Sequence, residues 1–340
     1  MCMRSGEEMT PAEKLRTRLK NARSERRCLT VPACHDAMSA ILISRAGFEV
    51  AFMSGFAVSA TALAMPDAGL ISYGEQVQVA RNICDATRSR GLLVIGDGDT
   101  GFGGSGNVRR TLRGYAAAGL AGISVEDQVY PKRCSYARGL AVENRERAIA
   151  RVRSAVSARN EMREECGLDL VLIARTDCRN CSSGGGLEEA IARCVEFARL
   201  GADVVYAEGL KGAAELKQLN EAMARTQSGM ETPLMIAQVE RPGVVLVQAE
   251  EAARLGYTLS LLGLTVLNVA LRAMKDALAE MAAGRHPADE HRMPFDELYA
   301  EVGFPAHYAW EERFEEGTNP VPPNIDGLPG YGRKRKSDEE

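Results

Sequence analysis

Three carboxylates and an arginine, each closing a short apolar run, carry the first sign of chemistry. Asp97 and Asp99 stand two residues apart in the glycine-rich stretch GDGDTGFGG (96–104), Glu126 ends GISVE, and Arg175 ends LVLIAR (170–175). Glu208 closes DVVYAE (203–208), and Gln238 lies in LMIAQV (234–239). Carboxylates gathered at one place repel each other unless a cation sits among them. Hard oxygen donors with no histidine suit Mg²⁺, or Mn²⁺, better than zinc. The neighbouring glycines let a ligand approach the backbone closely. Spacing alone leaves a second reading open, a polar loop whose aspartates cap the helix that begins near Asn107.

A second stretch, EDQVYPKRCSYARG (126–139), holds Lys132, Arg133 and Cys134. It is long for a strand-to-helix loop and reads as a lid. A thiol beside two cations has its thiolate favoured and could move a proton. The plain alternative is a basic surface loop with an incidental cysteine. Cys178 and Cys181 have CxxC spacing but no second pair, and His35 reads as a rim residue. His286, His291 and His307 fall outside the apolar runs, so a histidine-centred triad has little support.

These residues need a scaffold that presents them together. Eight apolar, β-branched runs occur, at 29–33, 50–54, 92–97, 122–127, 170–175, 203–208, 234–239 and 258–263. Each is followed by a helical pattern, at 36–46, 74–90, 107–118, 143–163, 187–200, 212–225, 248–255 and 264–283. Eight such units predict an α/β (β/α)8 TIM barrel, with buried parallel strands and the active site at their C-terminal ends. A doubly wound open sheet is the rival, but no dinucleotide-type glycine fingerprint supports it. The expected organisation is a charged N-terminal arm (1–25), a barrel (26–285), a C-terminal helical extension with aromatics at helical spacing (286–317) and a flexible tail (318–340). That tail carries RKRK at 333–336.

Composition narrows the function classes. The chain has 340 residues, 45% of them apolar and 26% charged, with a net charge of −4. That is an ordinary globular composition, with no global basic footprint for nucleic acid. No run approaches the ~20 apolar residues of a membrane span. Nine irregularly spaced cysteines and no apolar leader point to a reducing, cytoplasmic setting.

Six motifs in order at the ends of these runs give the chain a family likeness: SG (54–55), ATALAMPDAG (60–69), GDGDTGFGG (96–104), SVEDQVYPKRC (124–134), IARTD (173–177) and AEG (207–209). They resemble the isocitrate lyase / phosphoenolpyruvate mutase superfamily, most closely its petal death protein, 2,3-dimethylmalate lyase and oxaloacetate hydrolase branch. The resemblance implies a Mg²⁺-dependent carbon–carbon lyase or hydrolase. Its substrate would be a small 2-hydroxy or 2-oxo dicarboxylate, of the 2-alkylmalate or oxaloacetate type, cleaved through an enolate. By matching position, Asp97, Asp99 and Glu126 would hold the metal, with Asp67 behind them. Ser54 and Gly55 would offer backbone N–H groups to the substrate. Arg175 would grip a carboxylate or the enolate, and Glu208, Gln238 and Thr265 would line the pocket. Cys134, flanked by Lys132 and Arg133, would be the general acid.

The match has departures. Lyase loops read K-[KR]-C-G-H, whereas this one reads Lys132-Arg133-Cys134-Ser135-Tyr136; mutase loops lack the cysteine and carry a serine. Gln238 stands where lyases have asparagine. Asn268 stands where tricarboxylate-cleaving members place an arginine, which favours a dicarboxylate. A phosphorus–carbon bond enzyme and a weakly active metabolite-binding relative remain as alternatives. The family likeness also implies a homotetramer with exchanged eighth helices.

Overall fold

The computed structural model describes residues 9–181, 184–238, 240–241 and 243–314. The expected tail, with its RKRK run, lies outside the described residues, as do Cys2 and Val239. Two compact units form, Met1–Ala270 and Leu271–Glu340.

In the first unit eight parallel strands close on themselves in chain order. They are β1 (Leu29–Cys34), β2 (Val50–Met53), β3 (Leu93–Asp97), β4 (Gly122–Glu126), β5 (Val171–Thr176), β6 (Val204–Ala207), β7 (Leu234–Ala237) and β8 (Tyr257–Leu262). Pairing of β1 with β8 shuts the barrel. The strands are buried nearly throughout, as continuous apolar runs require when helices cover the outside and side chains fill the inside.

Register places the chemistry. Glu126 of β4 pairs with Arg175 of β5, and Arg175 pairs with Tyr206 of β6. Asp97 of β3 pairs with Ser124 of β4. In-register parallel neighbours share a face, so one row of strand-end residues rings the C-terminal mouth.

The N-terminal segment is more than a charged arm. Helix Pro11–Ser24 begins with a capping box, Thr10 and Glu13 satisfying each other's backbone N–H, and has proline at its start. Its apolar stripe, Leu15, Leu19 and Ala22, is buried in one cluster with Leu29, Val50, Leu93, Val171 and Val204. Those are the first residues of five strands, so the helix closes the N-terminal end of the barrel. Arg16 fixes it there through Asp169 and Asp203.

Helix Gly55–Leu63 has no counterpart among the expected helical patterns. It is nine residues long and rich in small residues, so it carries no polar-to-apolar stripe. Ser54 caps it, accepting from the Ala57 N–H. In the second unit the aromatic segment forms two short helices, Phe295–Glu301 and Phe304–Glu311. Tyr299 and Phe304 stack between them with ring centroids 4.3 Å apart. No helix among the described residues is long and apolar enough to cross a membrane.

The plug generates a stability prediction. Leu15 has no exposed surface, so Leu15→Ala should cost about 2–5 kcal/mol of unfolding free energy. Urea denaturation of the two proteins measures this, and equal midpoints would show that the helix is not part of the cooperative core.

Candidate active site

The mouth of the barrel is built around buried charge. Asp97 is the last residue of β3, and its carbonyl accepts from the Tyr115 hydroxyl at 2.7 Å. Asp99 sits two residues on with φ +47°, a left-handed conformation that a side chain other than glycine's rarely adopts. Several contacts hold it there. Its N–H donates to Asp97 Oδ1 at 3.2 Å, and its carbonyl accepts from the Glu126 N–H at 2.9 Å. Gly98 between them touches β4 so closely that a Cβ would lie 2.6 Å from the Ser124 carbonyl oxygen. The same holds at Gly55, where a Cβ would lie 2.9 Å from Asp97 Oδ2.

Lys132 reaches into this group from the β4 loop. Its ammonium is 2.5 Å from Asp67 Oδ1 and 2.9 Å from Asp99 Oδ1, and the side chain is 3% exposed. Burial opposes its charge, but Asp99, Glu126, Asp67 and Asp97 hold its pKa well above the ordinary lysine value. Lys132 therefore ties together the loops after β2, β3 and β4. Gly69 on the β2 loop packs against Pro131 and the Lys132 backbone. The Lys132 contacts seen here are to carboxylates of these loops, Asp67 and Asp99.

Arg175 organises the other half. Its Nε and Nη2 donate to Asp177 Oδ2 and Oδ1 at 2.8 and 2.9 Å. Ser135 accepts from Nη2 and donates to Asp177, so the loop serine is locked onto this pair. The guanidinium carbon lies 5.3 Å from the centre of the Tyr206 ring. Burial opposes the charge here too, while Asp177, Glu126 and Glu208 push the pKa well above the usual arginine value. Glu208 accepts hydrogen bonds from Tyr136, at 2.7 Å, and from Tyr206.

Glu126 is the outlier. It is 1% exposed, and neither carboxylate oxygen has a hydrogen-bond partner. Its closest cation is Arg175 Nε, at 3.4 Å. Burial holds its pKa well above the ordinary carboxylate value, against the pull of Arg175. Asp99 is likewise pushed up, to about 7, by burial, with Lys132 opposing. Orphaned carboxylate oxygens beside two further aspartates form the donor set a hard divalent cation needs. Among the described residues no three such side chains already close on one point as a ready-made cage.

A cavity of about 120 Å³ opens between these groups, lined by Ser54, Asp67, Asp97, Cys134, Arg175, Glu208 and Gln238 among others. Drug-sized ligands occupy about 300–1,000 Å³, so this space suits a much smaller molecule. Cys134 is half-buried in its wall, and burial raises the thiol's pKa above the ordinary value. The thiol thus stays protonated at neutral pH, contrary to the thiolate its two cationic neighbours suggested.

Other expected site residues are placed differently. Arg133 is exposed and does not line the cavity; its backbone N–H donates to Gln128 at 2.9 Å. The Ser54 N–H pairs with the Cys34 carbonyl at 3.1 Å, so only Gly55 of that pair faces the carboxylates, 3.3 Å from Asp97 Oδ2. Gln238 bonds Ser260 and both backbone groups of Val247, which braces the loop after β7. Thr265 is exposed and donates to Glu240. The Cys178 thiol is buried and pushed up to about 12 by that burial, which leaves it unreactive. His35 is buried at the β1 exit, outside the cavity wall.

Sequence reasoning missed several supports. Asp127 accepts from Thr176, Arg193 and the Asp177 N–H, and so fixes the β5 end. Arg193, 2% exposed, stands at a buried position of helix Leu187–Arg199. A charge on the apolar face of so amphipathic a helix was the available signal. Arg241 stacks over the Tyr136 ring at 4.8 Å and had no sequence signal.

Comparison with known proteins agrees with this geometry. Residues 19–282 match the phosphoenolpyruvate phosphomutase family. The chain is 34% identical to 2,3-dimethylmalate lyase of Eubacterium barkeri over 273 residues, 79% of this chain and 85% of that protein. It is 32% identical to the chloroplastic carboxyvinyl-carboxyphosphonate phosphorylmutase of Arabidopsis thaliana over 318 residues, covering 93% and 89%. Its fold superposes on oxaloacetate acetylhydrolase, solved in complex with the inhibitor 3,3-difluorooxalacetate, with a TM-score of 0.80 at 28% identity, covering 91% of this chain and 99% of that one.

Lys132→Met leaves Asp67 and Asp99 buried without their cation, which should cost about 3–5 kcal/mol. Chemical denaturation at neutral pH measures the loss; a change under 1 kcal/mol would mean that Lys132 does not hold the three loops.

Proposed function

The chain belongs to the phosphoenolpyruvate mutase / isocitrate lyase superfamily, and on that premise we propose that it cleaves a carbon–carbon bond in a small 2-oxo or 2-hydroxy dicarboxylate. The observation that carries this reading is the cavity in which Asp97, Arg175 and the protonated Cys134 meet. Breaking a bond next to a carboxylate leaves an enolate, and that charge needs cations where it develops and an acid to quench it.

Asp97, Asp99 and Glu126 would hold a Mg²⁺ ion, whose chemistry is to polarise the substrate oxygens and stabilise developing negative charge. The chain's own residues supply the rest. Arg175 is fixed by Asp177 and Ser135, so it meets a substrate carboxylate without reorganising. Its Nη1 has no protein partner among the described residues. Cys134 delivers the proton to the carbanion carbon. Glu208, held by two tyrosine hydroxyls, fixes the wall next to Arg175. The β4 loop shields the cavity from water through Lys132 on one side and Tyr136 on the other.

The small cavity favours a dicarboxylate of four to six carbons, of the oxaloacetate or 2-alkylmalate type, over 2-methylisocitrate; Asn268 itself is exposed and does not line it. The phosphorus–carbon alternative rested on Ser135. That hydroxyl is engaged by both Arg175 and Asp177, which leaves Cys134 as the loop's free group. The same reading includes a homotetramer. On helix Thr265–Ala282, Leu271, Met274, Leu278 and Met281 are 45–62% exposed at coiled-coil spacing, a stripe suited to a second copy.

A substrate panel with Mg²⁺ tests the reaction, reading 2-oxo acid, oxalate and phosphate. Oxaloacetate or a 2-alkylmalate should turn over, and Cys134→Ser should lower kcat by about 10²–10⁴-fold with KM little changed. Phosphate release from a phosphonate as the main activity, or a Cys134→Ser enzyme as fast as wild type, would contradict the proposal.

A further inference from the structure

A second charged hollow lies at the opposite end of the barrel. Its volume is about 380 Å³, and Arg23, Arg26, Arg27 and Arg254 line it together with Asn220 and Thr258. Four arginines bordering one concavity stand out in a chain whose net charge is −4. Some of this charge is answered: Arg27 pairs with Glu25 and Glu49, and Arg23 donates to the Met230 carbonyl with Glu231 nearby. Arg26 and Arg254 pair with no carboxylate among the described residues.

The backbone at Arg26 adds an independent observation. Helix Pro11–Ser24 ends in a Schellman motif, with the Arg26 N–H on the Arg23 carbonyl and the Arg27 N–H on the Ala22 carbonyl. The residue at the turn has φ +53°. Glycine is preferred there because a Cβ crowds the carbonyl in the left-handed region. The same hydrogen-bond pattern recurs at Gly47 and Gly201, with φ of +86° and +97°, and both of those positions hold glycine. Here an arginine sits at a position where the backbone favours no side chain. The helix's negative C-terminal end attracts cations, but that attraction fades beyond the last turn. The turn sets the Arg26 side chain beyond the helix end, at the edge of the hollow.

The geometry points to an anion-binding site at the N-terminal face of the barrel, formed by Arg23, Arg26, Arg27 and Arg254, that takes a small phosphate-bearing anion. Guanidinium forks match phosphate oxygens in pairs, and more than one phosphoryl group would engage the unpaired Arg26 and Arg254 together. The hollow is also about three times the size of the cavity at the catalytic mouth, so it admits a larger molecule. This site shares no residue with the mouth and does not depend on the reaction proposed above.

Calorimetry with inorganic pyrophosphate in metal-free buffer tests it, on the full chain and three variants. Wild type should bind one equivalent per chain. Arg26→Gly relieves the backbone and removes the guanidinium together, so it should raise the melting temperature by about 1–3 °C and weaken pyrophosphate at least tenfold. Arg254→Ala should also weaken it, and Arg175→Ala, in the mouth, should leave it unchanged. Citrate, a carboxylate polyanion of similar charge, should bind more weakly than pyrophosphate. No saturable binding to wild type, undiminished binding by Arg26→Gly, or loss only in Arg175→Ala would overturn the site. A lowered melting temperature for Arg26→Gly would assign Arg26 a structural role instead.

Discussion

Buried negative charge at the barrel mouth is the constraint to which the rest of the structure responds. Asp67, Asp97, Asp99, Glu126, Asp127, Asp177 and Glu208 are all buried, and Lys132, Arg175 and Arg193 are the cations set among them. Two like charges about 4 Å apart cost about 4 kcal/mol at an effective dielectric of about 20. Such a mouth is stable only if every cation is placed with care and the surplus finds a partner. Asp127 meets this through Arg193 and a threonine, and Asp177 through Arg175 and Ser135. Glu126 has only Arg175 Nε, at 3.4 Å, and neither of its oxygens accepts a hydrogen bond.

Strand register turns that constraint into a shape. Because the barrel is closed and parallel, the ends of β3 to β6 stand side by side, and Glu126, Arg175 and Tyr206 become neighbours without any loop having to bring them together. The loops then divide the work. Lys132 anchors the long β4 loop to the loops after β2 and β3, and Ser135 and Tyr136 anchor it to the ends of β5 and β6. Cys134 lies between these two anchors. Its position therefore follows from the charges on either side of it, and so does its protonation, since burial keeps the thiol neutral. Replacement of Gly-His by Ser135-Tyr136 does not empty the loop of function: both residues are used to pin it.

The strands were legible because an apolar, β-branched run ending in a polar residue is the pattern a buried parallel strand must have. Every one of the eight appears within two residues of its expected bounds, and the strand-end rule led directly to Asp97, Glu126, Arg175 and Glu208. What was not legible is tertiary in origin. Nothing local distinguishes Arg133 from Lys132, yet one faces solvent and the other is buried between two carboxylates. Gln238 lines the pocket as expected, but that its amide also braces Val247 depends on a loop whose path the sequence does not encode locally. The helix Gly55–Leu63 escaped notice because small residues leave no periodic trace. The thiol of Cys134 was read from its charged neighbours in sequence, whereas its depth in the fold decides its state.

We propose that the carboxylate surplus at the mouth is completed by a divalent cation held through Asp97. Titration calorimetry with Mg²⁺, on wild type and on Asp97→Ala, tests it most directly. The account predicts one saturable Mg²⁺ site per chain in wild type and its loss in Asp97→Ala, with both proteins folded by circular dichroism. Equal Mg²⁺ affinity in the two proteins would contradict it.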